Sequence, residues 1–181
     1  MKRNKIMKLF PVVIALAVAG ASNAEILDAA ANGFILRYQV AIEADRFEVY
    51  RVATSEISQW WSSDHTVSGN AANMSINSTV PGCFCETLGE SAGVVHMTVS
   101  FANPGVMIRL TGGLGPLGLV GANGNMTWEF DTVGNGTVLT LQYAVGGYMQ
   151  GGLDTLATEV DSVLTEAMDR LKLYIETGSP T

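Results

Sequence analysis

Over residues 152–177 the apolar side chains Leu153, Leu156, Val160, Val163, Leu164, Ala167, Leu171 and Ile175 recur every three or four positions. Asp154, Glu159, Asp161, Glu166, Asp169 and Lys172 fall on the other sides of the same turns. This period predicts one amphipathic helix with a single apolar stripe. At 1.5 Å per residue, about 26 residues make a rod on the order of 40 Å long. Such a rod cannot bury its stripe alone, so the chain must supply a facing surface of similar length. Gly178 is a suitable terminator just past its end.

The preceding residues read as that surface. Phe34, Leu36, Tyr38, Val40 and Ile42 alternate through residues 33–42, the period of a half-buried strand. After Glu43-Ala44-Asp45 the rhythm changes. Phe47, Tyr50, Ala53 or Thr54, Ile57 and Trp60 recur at helical spacing, with Asp45 placed to cap the helix. Five short strands are then expected at residues 73–80, 82–88, 93–102, 106–112 and 122–131, and a sixth at 136–146. The connections "VPG", "GESAG", "ANPG" and "VGNG" carry the Pro, Gly and Asn that tight turns require. Val95, Met97, Val99 and Phe101 are expected on one face. So are Met126, Trp128 and Phe130, and Leu139, Leu141, Tyr143 and Val145. His96, Thr98, Ser100, Thr127, Glu129, Thr140 and Gln142 take the other face, so the sheet is antiparallel with one wet side. The fold class is α+β.

The first 24 residues have a basic start (Lys2, Arg3, Lys5, Lys8), an apolar run over residues 9–19 and the small-residue ending Ala21-Ser22-Asn23-Ala24. That is the layout of a cleavable secretory signal cut after Ala24, leaving residues 25–181 as a single domain in the periplasm or outside the cell. The apolar run is short for a bilayer span, and no later stretch is apolar enough to be an integral membrane segment. Removing the leader takes four of the ten basic residues and none of the seventeen acidic ones. The remainder has a net charge of −11, which argues against nucleic acid or anionic lipid headgroups as partners. Acceptor triplets for glycosylation at Asn73, Asn77, Asn125 and Asn135 read as turn composition in a chain whose leader looks bacterial.

Strand, helix, six antiparallel strands and one long helix, together with "ISQWW" (57–61), "PGCFCE" (81–86), "TWEF" (127–130), "GTVLTLQYAVGG" (136–147) and "LKLYIETG" (171–178), resemble the SRPBCC superfamily. Its members include START-related lipid binders, polyketide cyclase/dehydrase-like proteins and homologues of the heat-shock-chaperone activator. The resemblance implies a helix-grip fold, a curved antiparallel sheet of about seven strands wrapped around a long C-terminal helix, with an internal cavity between them. It implies no shared catalytic residues, so function must be argued from the site.

Alternation and position nominate Trp60, Met97, Phe101, Trp128, Tyr143, Tyr148, Leu156 and Val160 as the lining of that cavity. Their indole and phenol groups would provide the few polar contacts that apolar pockets use. The first reading is therefore binding, and carriage, of a hydrophobic small molecule such as a lipid, an isoprenoid or an aromatic metabolite. A cyclase- or aromatase-like enzyme in the same cavity is the alternative, with Glu86 and Tyr143 as its acid–base candidates. A third reading gives Cys83 and Cys85, the two cysteines of the chain, a metal or redox role, with Met74 as a further soft ligand.

Other features favour plainer readings. Two cysteines are too few for a closed metal site, and no metal or cofactor is expected. On an ideal strand their α-carbons would lie about 6.6 Å apart, so a bridge between them requires a bent or bulged backbone. The pair is instead expected as two small residues on one face, with Phe84 and Glu86 on the other. The glycine-rich stretch 110–125 lacks the Lys-Ser/Thr and following helix of a phosphate loop, and Leu114, Leu117, Leu119 and Val120 make it a candidate lid. Arg109 is expected on the outer face opposite Val106, Ile108 and Leu110. His65 is expected in a loop, and His96 on the wet face.

Overall fold

Alternation is realised most plainly in the last strand, where Thr137, Leu139, Leu141, Tyr143 and Val145 are all buried while the residues between them stay half-exposed. The computed structural model describes residues 23–181. Within these the strands are β1 (Asn23–Ala30), β2 (Gly33–Ile42), β3 (Met74–Ile76), β4 (Gly82–Gly89), β5 (Ala92–Asn103), β6 (Met107–Gly112), β7 (Gly121–Val133) and β8 (Gly136–Tyr148). The helices are α1 (Arg46–Ser55), α2 (Ile57–Trp60) and α3 (Asp154–Thr177), with short 3₁₀ turns in the connections. All neighbouring strands are antiparallel, in the order β1-β2-β8-β7-β6-β5-β4-β3.

The sheet is curved and has eight strands, one more than expected. The added strand, β1, is exposed along almost its whole length and so carries no apolar alternation. It is held by its backbone ladder to β2. Of the expected leader, only Asn23 and Ala24 belong to the described residues, where they pair with Gln39 and Tyr38.

α3 runs on the inner face across β2 and β1 and ends at Gly178, whose φ of 80° is the left-handed turn glycine favours. Asp45 caps α1 by accepting from the Phe47 amide, as expected. The helix then breaks at Glu56 instead of continuing to Trp60. Phe47, placed by period in the apolar stripe, lies outside against Gly105, with the Arg46 guanidinium 5.0 Å above its ring. Among the described residues no helix is long and apolar enough to cross a membrane.

β5 departs from simple alternation twice. Against β4, Phe84 faces Met97 and Cys85 faces Val95, so His96 is an extra residue. Against β6, Val99 faces Leu110 and Phe101 faces Arg109, so Ser100 is a second one. Each bulge changes which side chains face in. His96 and Met97 are therefore both buried, while Val95 and Phe101 are turned out at 64% and 40% exposure. This corrects three expectations, that His96 is on the wet face and that Val95 and Phe101 are on the inner one.

Cys83 and Cys85 are joined by a disulfide, which corrects the expectation of two unbridged small residues. β4 bends enough to bring their α-carbons to 5.4 Å, opposite the His96 bulge. The sulfurs occupy the outer, half-exposed face, and Phe84 and Glu86 are buried on the inner one, as expected.

Candidate functional site

The interior is organised around a row of rings. Trp128 on β7 meets Trp60 on α2 at 6.3 Å between centroids, Trp60 meets Trp61 at 5.7 Å, and Trp61 meets Phe84 of β4 at 5.4 Å. His96 of β5 follows at 5.5 Å from Phe84. The edge-to-face and tilted angles along the row suit the quadrupoles of aromatic pairs. All three tryptophans of the chain lie in it.

α3 fixes the row through Arg170. Its Nε donates to the Trp60 carbonyl at 2.8 Å, and a terminal nitrogen donates to that of Trp61 at 3.4 Å. The Trp60 indole donates to the Val52 carbonyl at 3.3 Å, and that of Trp61 to the His65 carbonyl at 3.0 Å. Trp128 differs. Its Nε1 is fully buried and meets no acceptor among the described residues. A buried donor left unpaired costs about 1–3 kcal/mol, so this group marks a place where a hydrogen-bond acceptor would be favoured.

At the far end of the row Glu86 is sealed from solvent. Its carboxylate accepts from the backbone amides of Val67 and Ser68 and from His96 Nε2 at 3.0 Å. Burial pushes this carboxyl up, but the Ser68 hydroxyl, the two amides and His96 outweigh it and hold the pKa at about 2. An ionised carboxylate only accepts, so His96 Nε2 carries the proton of that bond. Tyr143 is likewise committed. Its hydroxyl donates to the Gly112 carbonyl at 3.0 Å and accepts from the Leu114 amide at 3.1 Å, and burial pushes the phenol up to about 12. These bonds latch the start of the glycine-rich stretch, which Leu114 and Leu117 anchor by burial while Leu119 stays exposed.

Of the side chains nominated for the cavity, Trp60, Met97, Trp128 and Tyr143 are fully buried on the inner face. Leu156 and Val160 are half-buried on α3. Phe101 is outside for the reason given above, beneath the Arg109 guanidinium at 5.9 Å, and Arg109 itself lies on the outer face as expected. Tyr148 is 75% exposed because the inward residues of β8 are the odd-numbered ones, from Thr137 to Val145, and Tyr148 is out of phase with them. Trp61, Phe84 and the Glu86–His96 pair complete the interior. His65 sits on the surface, with Nε2 2.9 Å from a carboxylate oxygen of Glu166.

The space between sheet and α3 is occupied by these side chains. Two open grooves lie elsewhere. One of about 520 Å³ runs over Asp28, Ile35, Thr111, Asn123, Asn125 and Ala144, and one of about 620 Å³ lies along α3 beside Asp161, Thr165 and Leu173. Among the described residues no group of three or more His, Cys, Asp or Glu side chains is placed to hold a metal ion.

No family model and no curated protein matches the chain. Solved structures do. A conserved protein of unknown function from Enterococcus faecalis, EF2215, aligns with a TM-score of 0.58 at 14% identity over 90% of this chain and 80% of its own. CalU16 from Micromonospora echinospora aligns with a TM-score of 0.53 at 15% identity over 88% and 86%. The Aha1 dimer from Colwellia psychrerythraea aligns with a TM-score of 0.53 at 14% identity over 80% and 97%. The chain has the helix-grip fold. At these identities the likeness is one of fold, shared with CalU16 and Aha1.

Proposed function

We propose that the chain binds a hydrophobic small molecule, such as a lipid, an isoprenoid or an aromatic metabolite, between sheet and α3, and carries it in the periplasm or outside the cell. The unpaired Trp128 indole N–H in the buried row of rings carries this reading. The ligand is largely apolar and has one acceptor, which bonds Trp128 Nε1. Trp60 ends a four-residue helix and Trp61 caps it, and both carbonyls are tied to α3 by Arg170. Displacement of the two indoles makes room for the ligand, since both rings are buried in the inner layer. The net charge of −7 fits an uncharged cargo better than an anionic one.

The cyclase-like alternative is less well supported. Glu86 is ionised and already accepts three hydrogen bonds, and the Tyr143 proton is already donated to the Gly112 carbonyl while its oxygen accepts from the Leu114 amide. Neither is free to move a proton.

Because the three tryptophans share one row, their emission reports on this site. Titrating the detergent-free protein with long-chain fatty alcohols and isoprenols should shift and saturate the emission, and native mass spectrometry should show a 1:1 adduct. Unchanged emission and no adduct across both ligand series would refute the reading.

A further inference from the structure

The bridge between Cys83 and Cys85 is poorly placed to stabilise the fold. It closes a ring across a single intervening residue, and the entropy a disulfide removes from the unfolded chain grows with the loop it closes. β4 is already paired on both sides, with Ser75 of β3 facing Cys85, and Thr98 and Val95 of β5 facing Cys83 and Cys85. The sulfurs add nothing to the core, because that face of β4 points away from the row of rings. They are half-exposed, and the neighbouring Val95 is 64% exposed. An attacking sulfur can therefore approach without any buried group moving. The chain has no other cysteine, so an opened bridge cannot reshuffle within the molecule.

We propose that Cys83 and Cys85 form a thiol–disulfide exchange site that opens and closes in the folded protein, with a dithiol or small thiol as its partner. A partner thiolate attacks one sulfur, the Cys83–Cys85 bond breaks, and the other cysteine leaves as a thiolate and takes up a proton. A second partner thiolate then attacks the mixed disulfide and releases the remaining cysteine. The chain gains two electrons and two protons, and the partner's two thiols become its disulfide. The reverse sequence lets the chain accept oxidation. The site is on the opposite face of the sheet from the ligand layer and does not depend on the binding reading.

The test incubates the full chain in about 5 mM reduced glutathione at neutral pH, quenches with iodoacetamide and measures mass. Two alkyl groups should be gained while the near-ultraviolet circular dichroism stays native, and oxidised glutathione should reverse the change. The rate of reduction should be independent of urea below the unfolding transition. The Cys83→Ser/Cys85→Ser chain should gain no alkyl group and melt within about 5 °C of the parent. Thiols that appear only where the chain unfolds, with a rate that climbs with urea, would overturn the proposal whether or not the double variant folds.

Discussion

His96 Nε2 lies 3.0 Å from a carboxylate oxygen of Glu86, and both side chains are buried, with the Phe84 ring 5.5 Å from the imidazole. The contact exists because the β5 bulge turns His96 to the same side as Met97. Without it, Glu86 would lose one of its donors.

This carboxylate makes stability depend on acid. Its folded pKa of about 2 lies below the 4.5 of an unperturbed glutamate. Its contribution is therefore complete above about pH 4.5 and is lost as pH falls toward 2. Urea midpoints measured from pH 7 to pH 2 should fall through that window. Glu86→Gln should flatten the fall and lower stability at pH 7 by about 2 kcal/mol, since it puts an amide donor against the Val67, Ser68 and His96 donors.

Tyr143 is expected to act through the glycine-rich stretch. Tyr143→Phe removes the bonds to the Gly112 carbonyl and the Leu114 amide and should cost about 1–2 kcal/mol. Hydrogen exchange should show the Leu114 amide losing protection while β7 and β8 keep theirs. Unchanged protection at Leu114 would show that Leu114 and Leu117 hold the stretch by burial alone.

Arg170→Met keeps much of the apolar stem and removes the bonds to the Trp60 and Trp61 carbonyls. A loss of about 1–2 kcal/mol is expected. Acrylamide should quench the emission of the variant more than that of the parent, because α2 is no longer tied to α3.

Trp128→Phe tests the binding reading directly. It removes the one unpaired indole donor and should weaken any ligand that bonds there about tenfold, as expected for one hydrogen bond. Equal affinity in parent and variant would mean that the ligand does not use Trp128 Nε1.

What the sequence made legible follows from periodicity. β2, β8 and α3 were readable because each turns one side to the core, wholly buried in the strands and partly so in the helix, and burial writes itself as alternation or as a helical stripe. β1 was not, because an edge strand exposed on both faces is held by backbone bonds that any side chain allows. Trp60, Met97, Trp128 and Tyr143 were placed inside correctly for the same reason. Phe101 was not, because a bulge is invisible to a two-residue count, and Tyr148 was not, because it is out of phase with Leu139, Leu141, Tyr143 and Val145. The Cys83–Cys85 bridge was missed because the bend that permits it is a property of the paired strands, not of "PGCFCE" alone.

The two extra residues of β5 also bear on how this strand tolerates changes in length. Inward positions are even-numbered up to His96, odd-numbered at Met97 and Val99, and even-numbered again at Ala102. Each bulge reverses the parity, and the second restores what the first changed. Removing the extra residue itself leaves plain alternation, with Val95 out beside Met97 in, or Val99 in beside Phe101 out, and the remainder of the strand keeps its facing. The strand therefore holds one residue of slack at each bulge. A single deletion at Ser100 should be absorbed by loss of its bulge, and one at His96 should cost only the contact with Glu86.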